Sequence, residues 1–337
     1  MKHWVCLILS LIGMMVLAQP IHASPFNPQP EDRLIHIGAS PAPLIPVRLW
    51  GNQSDPTMII LGVHGFSDYA RGFAHLLPAL DPSAKGLLIA FDQRGFGEHS
   101  SRGQWAGVES MIEDLYEVLT YITERYPRRP IHIIGESMGA ALVLISMHHP
   151  KTSALYSDSS QPGVSIRSSV LLAPAIWGWT SMPWYQRVSL RLLSQLAPEF
   201  KLSSKNARRL GVRPTDDPGV AEHLAKDPWM LRDIQISMIA GLTELMTEAS
   251  AHLPKGGHRS LVVIGTQDEV IPPAAYCEWL KDKPTMSSSQ WFIQQDGFYM
   301  LTRQKRGEAI ISLLQDFLNH QGYPVQQSKL PTKELKC

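Results

Sequence analysis

Six short apolar runs recur along the chain: "TMIILGV" (57–63), "GLLIAFD" (86–92), "PIHIIGE" (130–136), "SSVLLAP" (168–174), "SLVVIGT" (260–266) and "QWFIQQ" (290–295). Each is continuous rather than alternating, and most are separated by segments long enough for a helix. A strand that is apolar on both faces needs cover on both, so this rhythm predicts a mostly parallel central sheet flanked by helices. Two earlier runs, "RLIHIGA" and "PLIPVRLW", are parted by the turn-like "SPAP" and predict an antiparallel hairpin at the sheet's edge. The segment 108–126 carries Met111, Leu115, Val118, Leu119 and Ile122 at spacings of three and four, giving one apolar helix face that Pro127 terminates. "GEAIISLLQDFLNH" repeats that pattern as the closing helix, and residues 321–337 read as a loose polar tail.

The strand rhythm stops between residues 177 and 254. That segment is helical or irregular in pattern and rich in Trp and Met (Trp177, Trp179, Trp184, Trp229, Met182, Met230, Met238, Met246). It predicts a helical cap inserted over the sheet's carboxyl edge, where open α/β sheets bind ligands. An apolar acyl-binding layer and an ordinary buried helical layer both fit its composition. The organisation is then a core in two parts, 30–176 and 255–320, with the cap between them.

Chain-wide numbers narrow the partners. With 337 residues, 44% of them hydrophobic, the chain can bury a sizeable core. A net charge of +1 without long runs of one sign excludes an electrostatic nucleic-acid binder. A small-molecule or lipid-like partner fits instead, with contact to a membrane surface an extension of that reading, and the pattern is silent on oligomeric state. Residues 1–23 have a short basic end, an apolar run from Trp4 to Ala18 and small residues for cleavage, the layout of an export signal, with an uncleaved anchor as the alternative. The expected location is therefore periplasmic or secreted. Cys6 is too early for a lipoprotein cysteine. Cys277 and Cys337 would remain after cleavage, either as a disulfide or as two free thiols. No zinc-type spacing occurs, and no metal or organic cofactor is implied.

The chemistry concentrates at Gly135-Glu136-Ser137-Met138-Gly139, directly after a predicted strand and before a predicted helix. A sharp strand-to-helix turn pushes a serine hydroxyl outward, and the two glycines relieve crowding there. The following helix aims its N-terminus at the site, so the Met138 N–H is one oxyanion donor. Phe66, in the turn His64-Gly65-Phe66 after an earlier strand, is the second. His64 itself reads as a brace for that turn.

These segments resemble the α/β-hydrolase fold, specifically the monoacylglycerol lipase and lysophospholipase-like group that also carries a serine aminopeptidase S33 domain name. "HGFSDY", "FDQRGFGEHS" with "GQWAG", "GESMGA", "IAGLTELMTEA", "GTQDEVIPP" and "DGFYMLTR" carry the likeness in the family's order, over about residues 30–320. The resemblance implies a carboxylic ester hydrolase with Ser137 as nucleophile and Asp268 as the acid that orients a catalytic histidine. It also implies that Asp92 and Arg94 form a polar brace behind the site. Glu269 and Asp296 are weaker acid candidates.

The histidine is missing. Its place, in a phrase of the type Gly-aromatic-His-Met-Leu, is taken by Tyr299. A phenol with a pKa near 10 cannot take and return a proton as imidazole does. Among other histidines, His148 and His149 end the helix that begins at Ser137, about 15 Å away by helix rise, and His258 precedes its strand at the opposite edge. His99, His223 and His252 have no sequence reason to face Ser137. Two readings follow: an esterase or lipase with weak or rewired catalysis, or a lapsed relative, a pseudoenzyme, that binds an acyl ligand without turnover.

Overall fold

The structure is a computed structural model. It describes residues 32–38, 43–81, 83, 85–156, 166–203, 212–281, 283, 289–319, 335 and 337. The expected export signal therefore lies outside the described residues, as does most of the C-terminal tail.

All six apolar runs form strands, and the early hairpin is present. β1 (Arg33–Ile37) pairs antiparallel with β2 (Ile45–Gly51), and β2 pairs antiparallel with β4 (Leu87–Phe91). β3 (Ile59–Val63), β5 (Ile131–Glu136), β6 (Ile166–Leu172), β9 (Ser260–Gly265) and β10 (Ser289–Gln294) complete a parallel run in the order β1-β2-β4-β3-β5-β6-β9-β10. Every residue of β3, β4 and β5 is buried, which is why these strands carry no alternation in sequence. From β3 the chain moves to one side to make β4, then returns to the other side to make β5. The connections thus part between β3 and β5, opening a crevice at their carboxyl ends where such sheets place ligands.

Helix α1 (Val108–Arg125) buries all five residues of its predicted face. It also buries Asp114, which receives two hydrogen bonds from Arg94 Nε and one from Nη2 at 2.7–2.9 Å. Helix α2 (Met138–Ser146) has no polar face and is buried along its whole length, behind the sheet and under a later helix. Its approach depends on glycine: a Cβ on Gly139 would lie 1.9 Å from the Val63 carbonyl oxygen, and one on Gly135 would lie 2.6 Å from Ala140 Cα. Either substitution forces the helix off the sheet.

Between β6 and β9 lie helices α3 (Trp184–Leu196), α4 (Pro218–Lys226) and α5 (Ile236–Ser250), with a two-stranded ribbon of β7 (Lys201–Ser203) and β8 (Asp233–Gln235). The segment divides physically. Helix α5 packs against α2 and buries ten of its fifteen residues, whereas α3 buries only Gln186 and Leu190. The Leu231 N–H donates to the Ser67 carbonyl, Met300 N–H to Pro214, and the Thr215 hydroxyl to the Arg303 carbonyl, tying this insertion to the loops after β3 and β10. Helices α6 (Pro273–Leu280) and α7 (Gly307–Asn319) finish the fold. The tail is not loose at its end: Leu335 is buried, and Cys337 is disulfide-bonded to Cys277 on α6.

Candidate active site

β5 ends at Glu136 and α2 begins at Met138, leaving Ser137 alone to turn the chain. Its backbone sits at φ 54°, ψ −114°, a region that non-glycine residues occupy only when held there. Three hydrogen bonds hold it: Ser137 N–H donates to the Leu172 carbonyl at 2.9 Å, and the Ser137 carbonyl accepts from Ala141 N–H at 2.9 Å and Ala175 N–H at 3.1 Å. Met138 follows as the first helical residue, so its N–H has no partner within the helix's own ladder and is free to serve a ligand.

Opposite this elbow lies the loop after β3. The Gln93 N–H donates to His64 Nε2 at 3.1 Å, so the ring's proton resides on Nδ1, which donates to the Gly65 carbonyl at 2.8 Å. Gln93 Nε2 donates to the His64 carbonyl at 2.7 Å. Burial holds the imidazole below its ordinary pKa. Both nitrogens are committed, so His64 braces the loop and cannot act as base. Phe66 and His64 each meet the edge or face of Phe96, fixing the Phe66 backbone in the turn. Asp92 adds a second brace by accepting from Ala70 N–H at 2.8 Å and Glu98 N–H at 2.7 Å. Asp92 and Arg94 thus brace separate loops rather than each other.

Tyr299 enters from the loop after β10. It is 6% exposed, and its hydroxyl is hydrogen-bonded to Ser137. Gly65 makes room for this pairing: a Cβ there would lie 3.3 Å from Ser137 Cβ and 3.4 Å from the Tyr299 oxygen. Burial, then the nearby Glu136 carboxylate, push the phenol's pKa upward, so Tyr299 is neutral at any ordinary pH.

Asp268 is buried at the end of β9. Its Oδ1 accepts from Val270 and Ile271 N–H, both at 2.8 Å, while Oδ2 is buried with no partner. Burial raises its pKa to about 7 despite the two backbone donors. Tyr276 is charge-coupled to both Asp268 and Tyr299, and its hydroxyl too is buried without a partner. Ser137 and Tyr299 are therefore bonded to each other, Asp268 stands close by, and the oxygen that would receive a histidine N–H is unused. Glu269 points elsewhere and accepts from Arg213 N–H at 2.8 Å, and Asp296 is an exposed turn residue at φ 56°.

Three functional-site residues escaped the sequence reading. Arg303 Nη2 donates to Asp68 Oδ2 at 2.7 Å and to Glu136 Oε2 at 2.8 Å, and all three side chains are buried. Burial works against the guanidinium charge, but the two carboxylates outweigh it and raise its pKa. Glu136 Oε1 is buried without a partner, and burial raises the Glu136 pKa. This cluster lies directly behind the nucleophile. The other histidines are engaged away from it: His148 stacks on His252 at 4.4 Å, His258 pairs with Ser169 at 2.9 Å, and His149 meets Glu109 at 3.1 Å. His99 contacts Ser101, and burial lowers its pKa to about 4. His75, a residue the sequence reading passed over, contacts the Thr302 hydroxyl at 3.2 Å and is held near 3 by burial.

Residues 54–291 match the family model described as serine aminopeptidase, S33, a hydrolase family. The chain belongs to that family. A mouse (Mus musculus) monoglyceride lipase is 26% identical over 126 residues, spanning 36% of this chain and about 40% of that relative's length. Among solved structures, a soluble variant of the Saccharomyces cerevisiae monoglyceride lipase, in complex with a substrate analogue, superposes with a TM-score of 0.66 at 16% identity, covering 90% of this chain and all of the other. A Paleococcus ferrophilus monoacylglycerol lipase gives 0.63 at 17% identity, covering 82% and 99%. These likenesses establish the α/β-hydrolase fold for this S33 family member.

Proposed function

We propose that this S33 family member is a serine hydrolase of esterase or lipase type whose turnover is slowed by the loss of its base. The observation that carries the reading is Ser137 on its strained elbow, hydrogen-bonded to Tyr299 instead of an imidazole. In this mechanism Ser137 attacks an ester carbonyl, the Met138 and Phe66 N–H groups receive the oxyanion, and the acyl-enzyme is released by water. Asp268 is the residual acid of a triad that has lost its middle member. Without that member, roughly 10³ to 10⁴-fold acceleration over water is the expected residue of catalysis.

The relatives' names support a monoacylglycerol or lysophospholipid type of substrate. Helix α3 supports delivery from a lipid surface: Trp184, Val188, Leu192 and Leu196 recur every fourth residue, are 53–74% exposed, and stand beside Arg187 and Arg191. An exported location is supported by the N-terminal sequence pattern and by the Cys277–Cys337 pairing.

Fluorophosphonate labelling and p-nitrophenyl butyrate hydrolysis test the reading. Both are expected to be slow but measurable, and both are expected to vanish in Ser137→Ala. A folded protein that shows neither, yet binds monoacylglycerol, would establish the lapsed binder instead.

A further inference from the structure

A cavity of about 400 Å³ opens between the loop after β3 and helix α4. Ser137, Asp268 and Tyr299 do not line it, so it is separate from the nucleophile's pocket. Its size suits a small organic molecule. The charges lining it are asymmetric in their availability. Both acids are consumed internally: Asp68 accepts from Tyr69 N–H at 2.9 Å and from Arg303 at 2.7 Å, and Asp227 accepts from the Tyr69 hydroxyl at 2.7 Å and Trp229 N–H at 2.8 Å. The two cations at the mouth are held only by partners on the surface. Arg71 is 42% exposed and reaches Asp32 at 3.2 Å, while Lys226 is 74% exposed and reaches Glu222 one helical turn away. Exposed pairs of this kind contribute roughly 0–1 kcal/mol and give way readily to a better-placed anion. Val220, Leu224 and Trp229 supply apolar wall from α4 and the turn after it.

We propose that this cavity binds an amphiphilic carboxylate, its anionic head at Arg71 and Lys226 and a short apolar chain along Val220, Leu224 and Trp229. Arg303 is the wall shared with the nucleophile's side, since the same Nη2 atom holds Asp68 in the cavity and Glu136 behind Ser137. The site does not depend on turnover at Ser137.

Calorimetric titration of the full-length Ser137→Ala protein tests it, with octanoate as the probe and octan-1-ol as its neutral counterpart. Octanoate is expected to bind with one-to-one stoichiometry. The double variant Arg71→Glu/Lys226→Glu, both positions being exposed, is expected to weaken octanoate by about tenfold or more, the effect of losing one charge-assisted contact. Octanol affinity should stay unchanged in that variant. Leu224→Trp, which fills the cavity, should remove octanoate binding altogether. Absence of octanoate binding overturns the proposal. So does equal affinity for octanoate in the charge-reversed protein, or in Leu224→Trp, when thermal melts show those variants folded.

Discussion

Asp268→Asn is expected to stabilise this protein above neutral pH, the opposite of what removing a working catalytic acid's charge normally does. Asp268 has an ordinary unfolded pKa near 4 and a folded value of about 7, set by burial and by an Oδ2 without a partner. Between those two values the folded chain holds a proton that the unfolded chain has released. Folding stability therefore falls as pH rises through that window, by about 1.4 kcal/mol per pH unit. Below pH 4 the group is protonated in both states and contributes no difference. Above pH 7 it is ionised in both, and the burial of an uncompensated charge costs the fold on the order of 4 kcal/mol. Asparagine keeps the oxygen that accepts from Val270 and Ile271 and carries no charge. The assay is urea denaturation of both proteins from pH 4 to 8.5, read as the difference between them so that other titrating groups cancel. The difference should be small at pH 4, grow through pH 5–7, and plateau in favour of asparagine. An Asp268→Asn protein equally or less stable at pH 8 would refute the reasoning, because it would mean that the carboxylate has a compensating partner.

Tyr299→His should raise p-nitrophenyl butyrate hydrolysis by roughly 10² to 10⁴-fold, the ordinary worth of a positioned general base, with a pH profile that rises through the imidazole pKa. A folded variant without that gain means that the pocket has changed elsewhere as well. Cys277→Ser, or reduction of the natural protein, should lower stability by about 2–4 kcal/mol, because the bridge closes a loop across 60 positions, and thermal melts with and without dithiothreitol read it. Leu192→Glu with Leu196→Glu should sharply reduce sedimentation with phosphatidylglycerol vesicles while leaving hydrolysis of soluble esters unchanged. Unaltered sedimentation would take α3 out of the contact.

The strands and helix faces were legible because burial leaves a local periodicity, as in the uniformly apolar β3, β4 and β5 and the single face of α1. The elbow was legible for the same reason: a strand, a serine between glycines and a helix are consecutive in the chain. The Asp68–Arg303–Glu136 cluster was not. Its pairs span 235 and 167 positions, and each member alone passes for a turn residue, a surface charge or the variable position of a motif. Tyr299 could be seen as a lost base from sequence, but its electrostatic consequence could not. Three carboxylates (Asp68, Glu136, Asp268) surround the site, and Arg303 bonds only the first two. A histidine at 299 would supply the missing positive charge whenever it took the serine's proton. With tyrosine there, the burden falls on Asp268, which keeps its proton to about pH 7. The loss of the base and the raised acid are thus one change seen at two atoms. Tyr299→His must move both together: as ester hydrolysis rises, the pH-dependent instability assigned to Asp268 must shrink. Recovery of activity with that stability slope intact would mean that the new imidazole works without Asp268, and would separate the two effects joined here.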